Sequence, residues 1–242
     1  RSDGGAAVRS LTISDPALLG SRRSYRAAVL ADSPVGYWPL DDAGSTMADV
    51  SGAGLNGTYT NSPTLSAGTG PGGRDCHVFN GTNQYGLVGA PVVTAAQPAT
   101  VELWLKTTNT ALRTPIALRN PPDGGEVLLL VMALSVAGQP TAYRAGGTGK
   151  ATWSTTIHDG NWHHVVMTVN SANNDLSLYV DGTLRSTDAS PGSPSVSTSN
   201  IGLWVGCNSG PGQYFPGSVA DVAVYASTLN STRVAAHYAA GI

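Results

Sequence analysis

The chain has 242 residues, a formal net charge of -2 and only 12% charged residues. This weak charge excludes the basic surface that nucleic-acid binding requires, and no run approaches the roughly 20 apolar residues of a membrane-spanning helix. Glycine is abundant, at 30 residues. Short apolar runs separated by Ser, Thr, Asn and Gly are typical of an all-β protein at an extracellular or virion surface.

Residues 1–24 contain too little apolar material to form a core, and we predict an N-terminal arm or linker there. The sequence leaves open whether this arm docks on a neighbouring subunit or is a flexible linker. The chain begins at Arg1 without a signal peptide, which is consistent with a processed product or a fragment. A short helix is predicted from Ser24, as its N-cap, to Asp32, and residues 25–242 then form one domain.

About a dozen short strands are predicted between Gly36 and Tyr225, with turn signals between them. The cleanest of them is Thr100–Lys106. Val101, Leu103 and Leu105 are expected on one of its faces, and Glu102, Trp104 and Lys106 on the other. A closing helix is predicted over Leu229–Ala240, with Asn230 as its N-cap. The pattern predicts an all-β fold, a two-sheet antiparallel jelly-roll β-sandwich with short terminal helices.

The stretch Gly217–Tyr225 reads as a strand covered on both faces, with one acid in the middle. Strict alternation would put Val219, Asp221 and Tyr225 on the same face. Because a buried carboxylate needs compensation, Asp221 is expected to pair with a cation, to accept hydrogen bonds from backbone amides, or to lie at a sheet rim.

Two cysteines, Cys76 and Cys207, lie far apart in the sequence and lack the spacing of a zinc site. Two interpretations stay open for them. They form a disulfide if two strands bring them together, or they are two buried thiols.

Several runs in order resemble the concanavalin A-like, laminin-G-like (LamG) jelly roll of bacterial surface, secreted and phage tail proteins. The resemblance covers about Ser24 to Gly241. It rests on Tyr37-Trp38-x-Leu40-Asp41-Asp42, Asp49-x-Ser51-Gly52 with Asn56-Gly57-Thr58, Phe79-Asn80-Gly81-Thr82 with Tyr85, Thr100-Val-Glu-x-Trp104, Trp162-His163-His164-Val165, Leu178-Tyr179-Val180-Asp181-Gly182, and Gly217 to Tyr225 with Leu229 and His237-Tyr238.

The resemblance implies two curved antiparallel sheets and the binding of glycans or other surface ligands. It also implies one structural calcium ion (Ca²⁺), held here by Asp42, a loop carbonyl at Gly52 and Asp221. Calcium prefers carboxylate and carbonyl oxygens from flexible loops. This calcium site would explain the acid in the last strand.

Related sandwiches include glycosidases that use two close carboxylates on one strand. The sequence has only two glutamates, Glu102 and Glu126, in separate strands, and no Glu-x-Asp-x-x-Glu run. Glu102 is expected to pair with Lys106 or another neighbour, while His163 and His164 point to opposite faces of their strand, one inside the sandwich and one at its surface. We therefore predict that the chain is not an enzyme.

Among the tryptophans, Trp153 lies in the loop-rich middle of the chain, and with Tyr143 it is the candidate for a ligand-binding platform. The other four, in strands, are expected to pack in the core or on a sheet face: Trp38, Trp104, Trp162 and Trp204. The sequence favours a non-catalytic recognition or adhesion domain that binds glycan or cell-surface polymer on a secreted or virion (phage tail-like) protein. Its rivals are a structural assembly or decoration subunit, whose arm contacts other copies or virion subunits, and a glycoside hydrolase.

Overall fold

The computed structural model describes residues 16–93, 99–119, 126–132, 138–144, 149–170, 175–189, 201–208 and 213–242. Within these ranges the chain forms two helices, one short 3-10 helix and sixteen strands. The helices are α1 (Pro16–Ala31) and α2 (Ser231–Gly241), and the 3-10 helix is Pro71–Gly73. The strands are β1 (Gly36–Trp38), β2 (Thr46–Met47), β3 (Gly57–Thr60), β4 (Thr64–Ser66), β5 (Cys76–Asn80), β6 (Tyr85–Val93), β7 (Ala99–Lys106), β8 (Arg113–Arg119), β9 (Glu126–Met132), β10 (Pro140–Arg144), β11 (Lys150–Thr152), β12 (His163–Val169), β13 (Leu176–Val180), β14 (Thr183–Asp188), β15 (Ile201–Val205) and β16 (Pro216–Tyr225).

The strands form two antiparallel eight-stranded sheets. The back sheet has the order β14-β13-β12-β7-β16-β5-β4, with β1 also paired to β16, and the front sheet has the order β11-β10-β9-β8-β15-β6-β3-β2. The predicted all-β jelly-roll sandwich with helices only near the ends is confirmed. Apolar side chains from both sheets fill the space between them, among them Trp38, Leu103, Ile116, Leu203 and Val222.

Both helices pack on the outer face of the back sheet. Tyr25 of α1 and Val234 of α2 share one buried cluster with Trp104, on β7. The alternation of β7 places its residues as predicted, with Val101 between the sheets and Trp104 beneath the helices. The back sheet is therefore covered on both faces.

Helix α1 begins at Pro16 rather than at Ser24, so part of the predicted arm is helical. Proline suits the first helical position because its fixed φ is already helical and its missing N–H would have no partner there. Ser24 lies inside the helix, and its hydroxyl donates to the carbonyl of Ala240 at 3.1 Å. The predicted N-cap of the closing helix is confirmed, since the side chain of Asn230 accepts from the amide of Arg233.

The sequence predicted that Val219 lies on the same face of the strand as Tyr225, and this is wrong. The register of β16 against β7 shifts between Ala220 and Ala223, and Asp221 has a left-handed φ of 53°. This β-bulge adds one residue to the strand, so Val219 points between the sheets with Val222, while Tyr225 points to the helices. A period-2 pattern cannot reveal such an insertion.

A tight turn at Asp181–Gly182 joins β13 to β14. Both residues have positive φ, 52° and 72°, as the twist-matched two-residue hairpin turn requires. A Cβ on Gly182 would also lie 3.0 Å from Cβ of Tyr238 on α2, so the turn packs closely beneath that helix.

Candidate functional site

The outer face of the front sheet carries a row of residues that register aligns across the sheet. Leu87 of β6, Trp204 of β15 and Ala117 of β8 are cross-strand neighbours. The row continues through β9 to Tyr143 of β10 and Lys150 of β11. Because neighbouring strands lie about 4.8 Å apart, the row from β6 to β10 spans roughly 19 Å. We call this surface the front face and define it by Tyr85, Leu87, Ala117, Tyr143, Trp204, Cys207 and Tyr214.

Aromatic rings dominate one half of the front face. The ring centroid of Tyr85 lies 5.3 Å from that of Trp204 and 6.4 Å from that of Tyr214. Both tyrosines are half-buried, whereas Trp204 is 3% exposed. The indole Nε1 of Trp204 is buried and has no hydrogen-bond partner among the described residues. The tyrosines thus present accessible rings around a buried tryptophan.

Hydrogen-bonding groups stand beside these rings. Arg119 follows Ala117 on β8, and its Nη1 donates to the backbone and side-chain oxygens of Asn208, both at 3.0 Å. At the far end of the row, Nζ of Lys150 lies 6.0 Å from the ring centroid of Tyr143. Aromatic faces next to polar groups match the chemistry of a sugar, which has an apolar ring face and hydroxyls at its edge.

The two predicted platform residues lie in different environments. Tyr143 is half-buried on the front face, but Trp153 packs against the core between the sheets. The guanidinium carbon of Arg185 lies 4.3 Å from the ring centroid of Trp153, so one face of that ring is already covered. Sequence reasoning missed Tyr85 and Tyr214 as partners of Trp204. The register of β6 against β15 brings Tyr85 to Trp204, and Tyr214 reaches the same cluster from the segment before β16.

The outer face of the back sheet holds a buried network of charges. Glu102 is fully buried, and its carboxylate lies 3.1 Å from Nε2 of His164 and 3.0 Å from Nδ1 of His237. Tyr225 donates its hydroxyl to the same carboxylate. The predicted pairing of Glu102 with a neighbour is thus confirmed, but the partners are histidines and a tyrosine. His164 lies beneath the helices rather than between the sheets.

His237 lies between two carboxylates. Its Nδ1 faces Glu102 and its Nε2 lies 2.9 Å from Oδ2 of Asp32, at the end of α1. Arg233 also donates to Asp32, at 2.8 Å. Both ring nitrogens face carboxylate oxygens, an arrangement that favours the doubly protonated imidazolium.

The pKa values in this network follow from its geometry. Burial would raise the pKa of Glu102, but hydrogen bonds from His164 and His237 and the charges of both rings lower it to about 2. Burial would lower the pKa of His237, but its bonds to Glu102 and the charges of Glu102 and Asp32 raise it. The network is an ion cluster that ties both helices to the back sheet, and it leaves Glu102 without access to a substrate.

Asp221, the buried acid of β16, pairs with a cation. Its Oδ2 accepts from Nε of Arg74 at 2.7 Å, and its Oδ1 accepts from the hydroxyl of Tyr37 at 2.6 Å. Burial raises the pKa of Asp221, against the lowering effect of the arginine and the tyrosine. Of the three environments that the sequence allowed for this acid, the structure has the pairing with a cation.

The predicted calcium ligands are not arranged as a cation site. Both oxygens of Asp221 are engaged, and a guanidinium at 2.7 Å repels a divalent cation. Asp42 accepts instead from the amide of Ala48 at 3.1 Å. The described residues contain no group of three or more His, Cys, Asp or Glu side chains that could hold a metal ion. As arranged, the side chains of Asp42 and Asp221 do not fit calcium.

The loop that contains Gly52 is organised by another acid. The carboxylate of Asp49 accepts from the backbone amides of Tyr37, Ser51 and Leu55, at 3.0, 2.9 and 2.9 Å. Desolvation works against its ionised form, but these backbone bonds prevail and lower the pKa of Asp49. A carboxylate with several amide donors thus holds this loop from within the chain.

Of the two interpretations left open for the cysteines, the structure has the second, two buried thiols. Cys76 belongs to the cluster beneath the helices on the back sheet, whereas Cys207 belongs to the front face. The two residues lie on opposite outer faces of the sandwich, beyond the reach of a disulfide. Burial raises the pKa of both thiols, that of Cys207 to about 12.

Solved structures with the same architecture include both binding domains and enzymes. Domain 4 of a GH43 extracellular arabinanase from Geobacillus stearothermophilus, solved in complex with arabinotriose, is 17% identical at a TM-score of 0.63, covering 85% of this chain and 98% of that one. The binding domain of Paraclostridial Mosquitocidal Protein 1 is 16% identical at a TM-score of 0.68, covering 86% of this chain and 52% of that one. Trypanosoma rangeli sialidase in complex with the inhibitor DANA is 14% identical at a TM-score of 0.63, covering 90% of this chain and 37% of that one. At these identities the likeness shows the fold alone, and this chain spans only about half of the toxin domain and less of the sialidase.

No curated protein matches the chain in sequence. No described helix is both long and apolar enough to cross a membrane. The Laminin_G_3 family model, of the concanavalin A-like lectin/glucanases superfamily, matches residues 80–235, more than half of the sequence. The chain therefore belongs to this family of concanavalin A-like sandwiches, as its motifs had indicated.

Proposed function

We propose that this chain is a non-catalytic recognition domain that binds a glycan on its front face, as part of a secreted or virion-surface protein. The observation that carries the proposal is the half-buried pair Tyr85 and Tyr214 around Trp204, with Tyr143 on the same surface. Aromatic side chains of this kind supply contact area at low entropic cost, and their polar tips add hydrogen bonds.

The dimensions of the front face favour an extended ligand. The aligned row spans roughly 19 Å across five strands, which is several times the width of one sugar ring. The exposed Lys150 stands beside the ring of Tyr143 and offers a hydrogen-bond donor to sugar hydroxyls. The similar arabinanase domain was solved with a linear oligosaccharide, arabinotriose, which supports a glycan as the ligand class.

The burial of Glu102 supports recognition over hydrolysis. A retaining glycosidase needs two carboxyl groups about 5 Å apart that face the same sugar. Glu102 is buried under the helices and bonded to two histidines and a tyrosine. The sialidase likeness covers only 37% of that enzyme, so its activity does not transfer to this chain.

A glycan panel followed by calorimetry tests the proposal. The chain is first tested for binding to immobilised polysaccharides, including arabinan and sialylated glycans. For the best ligand, Tyr85→Ala and Tyr214→Ala are each expected to weaken binding by roughly 3- to 10-fold, the equivalent of an aromatic contact of 0.5–1.5 kcal/mol. Leu184→Ala, at an exposed apolar residue of β14, is the matched control and leaves affinity unchanged.

Two results would overturn the proposal. One is that no glycan in the panel binds. The other is that binding is unaffected by either front-face variant, which would place the ligand elsewhere. Release of sugar from the bound polysaccharide would instead favour the hydrolase.

A further inference from the structure

A second pocket lies on the back of the sandwich, between the 3-10 helix and the end of α2. Its volume is about 160 Å³, and its walls include Pro71, Trp104, Trp162, Tyr238 and Ile242. We call it the helix-side pocket. None of its described lining residues carries a charged side chain, and it lies on the opposite side of the molecule from the front face.

The walls of the helix-side pocket are aromatic and rigid. The rings of Trp104 and Tyr238 stack at 5.8 Å with an interplanar angle of 21°. Trp162 is fixed by its indole Nε1, which donates to the carbonyl of Thr69 at 2.9 Å. Its ring is half-buried, so part of it remains accessible to a ligand.

One wall residue has an unused donor. Nε1 of Trp104 is buried and has no hydrogen-bond partner among the described residues. Gly241 packs so closely on this indole that a Cβ there would lie 2.4 Å from Cζ2 of Trp104. A buried donor without a partner costs free energy, and a ligand oxygen that reached it would recover that cost.

We propose that the helix-side pocket binds the acetamido group of an N-acetylated sugar. The group is small and neutral, its carbonyl oxygen can accept from Nε1 of Trp104, and its methyl group suits the apolar surface of Pro71 and Ile242. Trp162 and Tyr238 then flank the sugar ring. This site is independent of the front face and adds a second point of attachment for a polysaccharide.

Ligand-observed NMR and calorimetry with matched sugars test this inference. The probes are N,N′-diacetylchitobiose and its deacetylated and non-amino counterparts, chitosan disaccharide and cellobiose. The acetylated sugar is expected to bind at least about 10-fold more tightly than either counterpart, as for one buried hydrogen bond with its apolar contacts. Saturation transfer is expected to be strongest at the acetamido methyl group.

Variants separate the helix-side pocket from the front face. Trp162→Ala is expected to abolish binding of the acetylated sugar, whereas the control Leu184→Ala, at an exposed residue of β14, leaves it unchanged. Trp104→Phe keeps the ring, removes the N–H, and is expected to remove the preference for the acetylated sugar. If Trp104→Phe fails to fold, the affinity of Trp162→Ala and the comparison of the acetylated sugar with its two counterparts still test the inference.

Equal affinity for acetylated and deacetylated sugars would overturn the inference, and so would loss of binding in Tyr85→Ala rather than in Trp162→Ala. Failure here leaves the front-face proposal intact, because Trp162→Ala does not touch the front face. In the same way, a front face that binds no glycan leaves the acetamido test valid.

Discussion

The two outer faces of the sandwich use polar side chains in opposite ways. On the back, Glu102, His164 and His237 are fully buried beneath two helices, and both histidines contact the carboxylate of Glu102. On the front, half-buried tyrosines surround Trp204, whose Nε1 has no partner among the described residues. On the back, both carboxylates of the network are bonded by donors of the chain itself, whereas the tyrosine rings on the front are half-buried and accessible to a ligand.

This difference separates the residues that maintain the fold from those that are available for binding. Histidines and carboxylates in close contact resemble catalytic groups, yet on the back face they join α1, α2 and three strands. Accessible aromatic rings on the front are less unusual chemically, but they are the ones that an incoming molecule can touch.

The largest expected effect is on stability and follows from replacing Glu102 with glutamine. The variant removes the more deeply buried of the two carboxylates that contact the His237 ring, and breaking a buried ion pair costs about 3–5 kcal/mol. Urea unfolding followed by tryptophan fluorescence measures the loss.

The matched comparison is Tyr143→Ala on the front face. Tyr143 is half-buried at the outer surface, so its removal is expected to cost less than about 1.5 kcal/mol. Equal losses in Glu102→Gln and Tyr143→Ala would contradict the distinction between a structural back face and a binding front face.

A smaller effect is expected from pH, through the imidazolium of His237. Its folded pKa lies above the ordinary 6.5, so protonation stabilises the folded state. This contribution is complete below pH 6.5 and is lost as pH rises through the folded pKa, with a slope of up to about 1.4 kcal/mol per pH unit. The groups that face the ring are Glu102 on β7, Tyr25 on α1, Asp32 immediately after α1, and Tyr225 on β16.

Urea midpoints between pH 5.5 and 9 measure this dependence. His237→Gln is expected to flatten the profile. His163 needs a control of its own, because Asp181 and Asp159 raise its pKa in the same direction despite its burial, and His163→Gln removes that contribution separately. A profile that keeps its slope in His237→Gln would show that the ring is neutral when folded.

The sequence predicted what depends on local pattern. The alternation of Val101 and Glu102 gave the faces of β7, and Asn230 gave the start of α2, because both signals lie within a few residues. The face of Val219 was wrong, since the bulge at Asp221 depends on how β16 meets its neighbours.

The site was less predictable than the fold for the same reason. Glu102 meets His164 and His237 across 62 and 135 positions of sequence. Tyr85 and Trp204 become neighbours only through the register of β6 against β15. Trp153 looked accessible because it lies in a polar stretch, but it packs on the core with Arg185 over its ring. Contacts between residues far apart in the chain leave no periodic pattern in the local sequence, so the sequence alone could not predict them.

The smallest expected effect concerns calcium, and it tests whether the chain itself compensates the negative charge of Asp221. The Arg74 guanidinium already compensates that carboxylate at 2.7 Å, so adding EDTA or calcium chloride is expected to leave the melting temperature unchanged. An ion bound at 1,000 times its dissociation constant would instead add about 4 kcal/mol, a shift of several degrees. If EDTA lowers the melting temperature of the parent chain but not that of Asp221→Ala, then Asp221 binds a cation in place of Arg74, and the buried charges on the back face are not fully compensated by the chain itself.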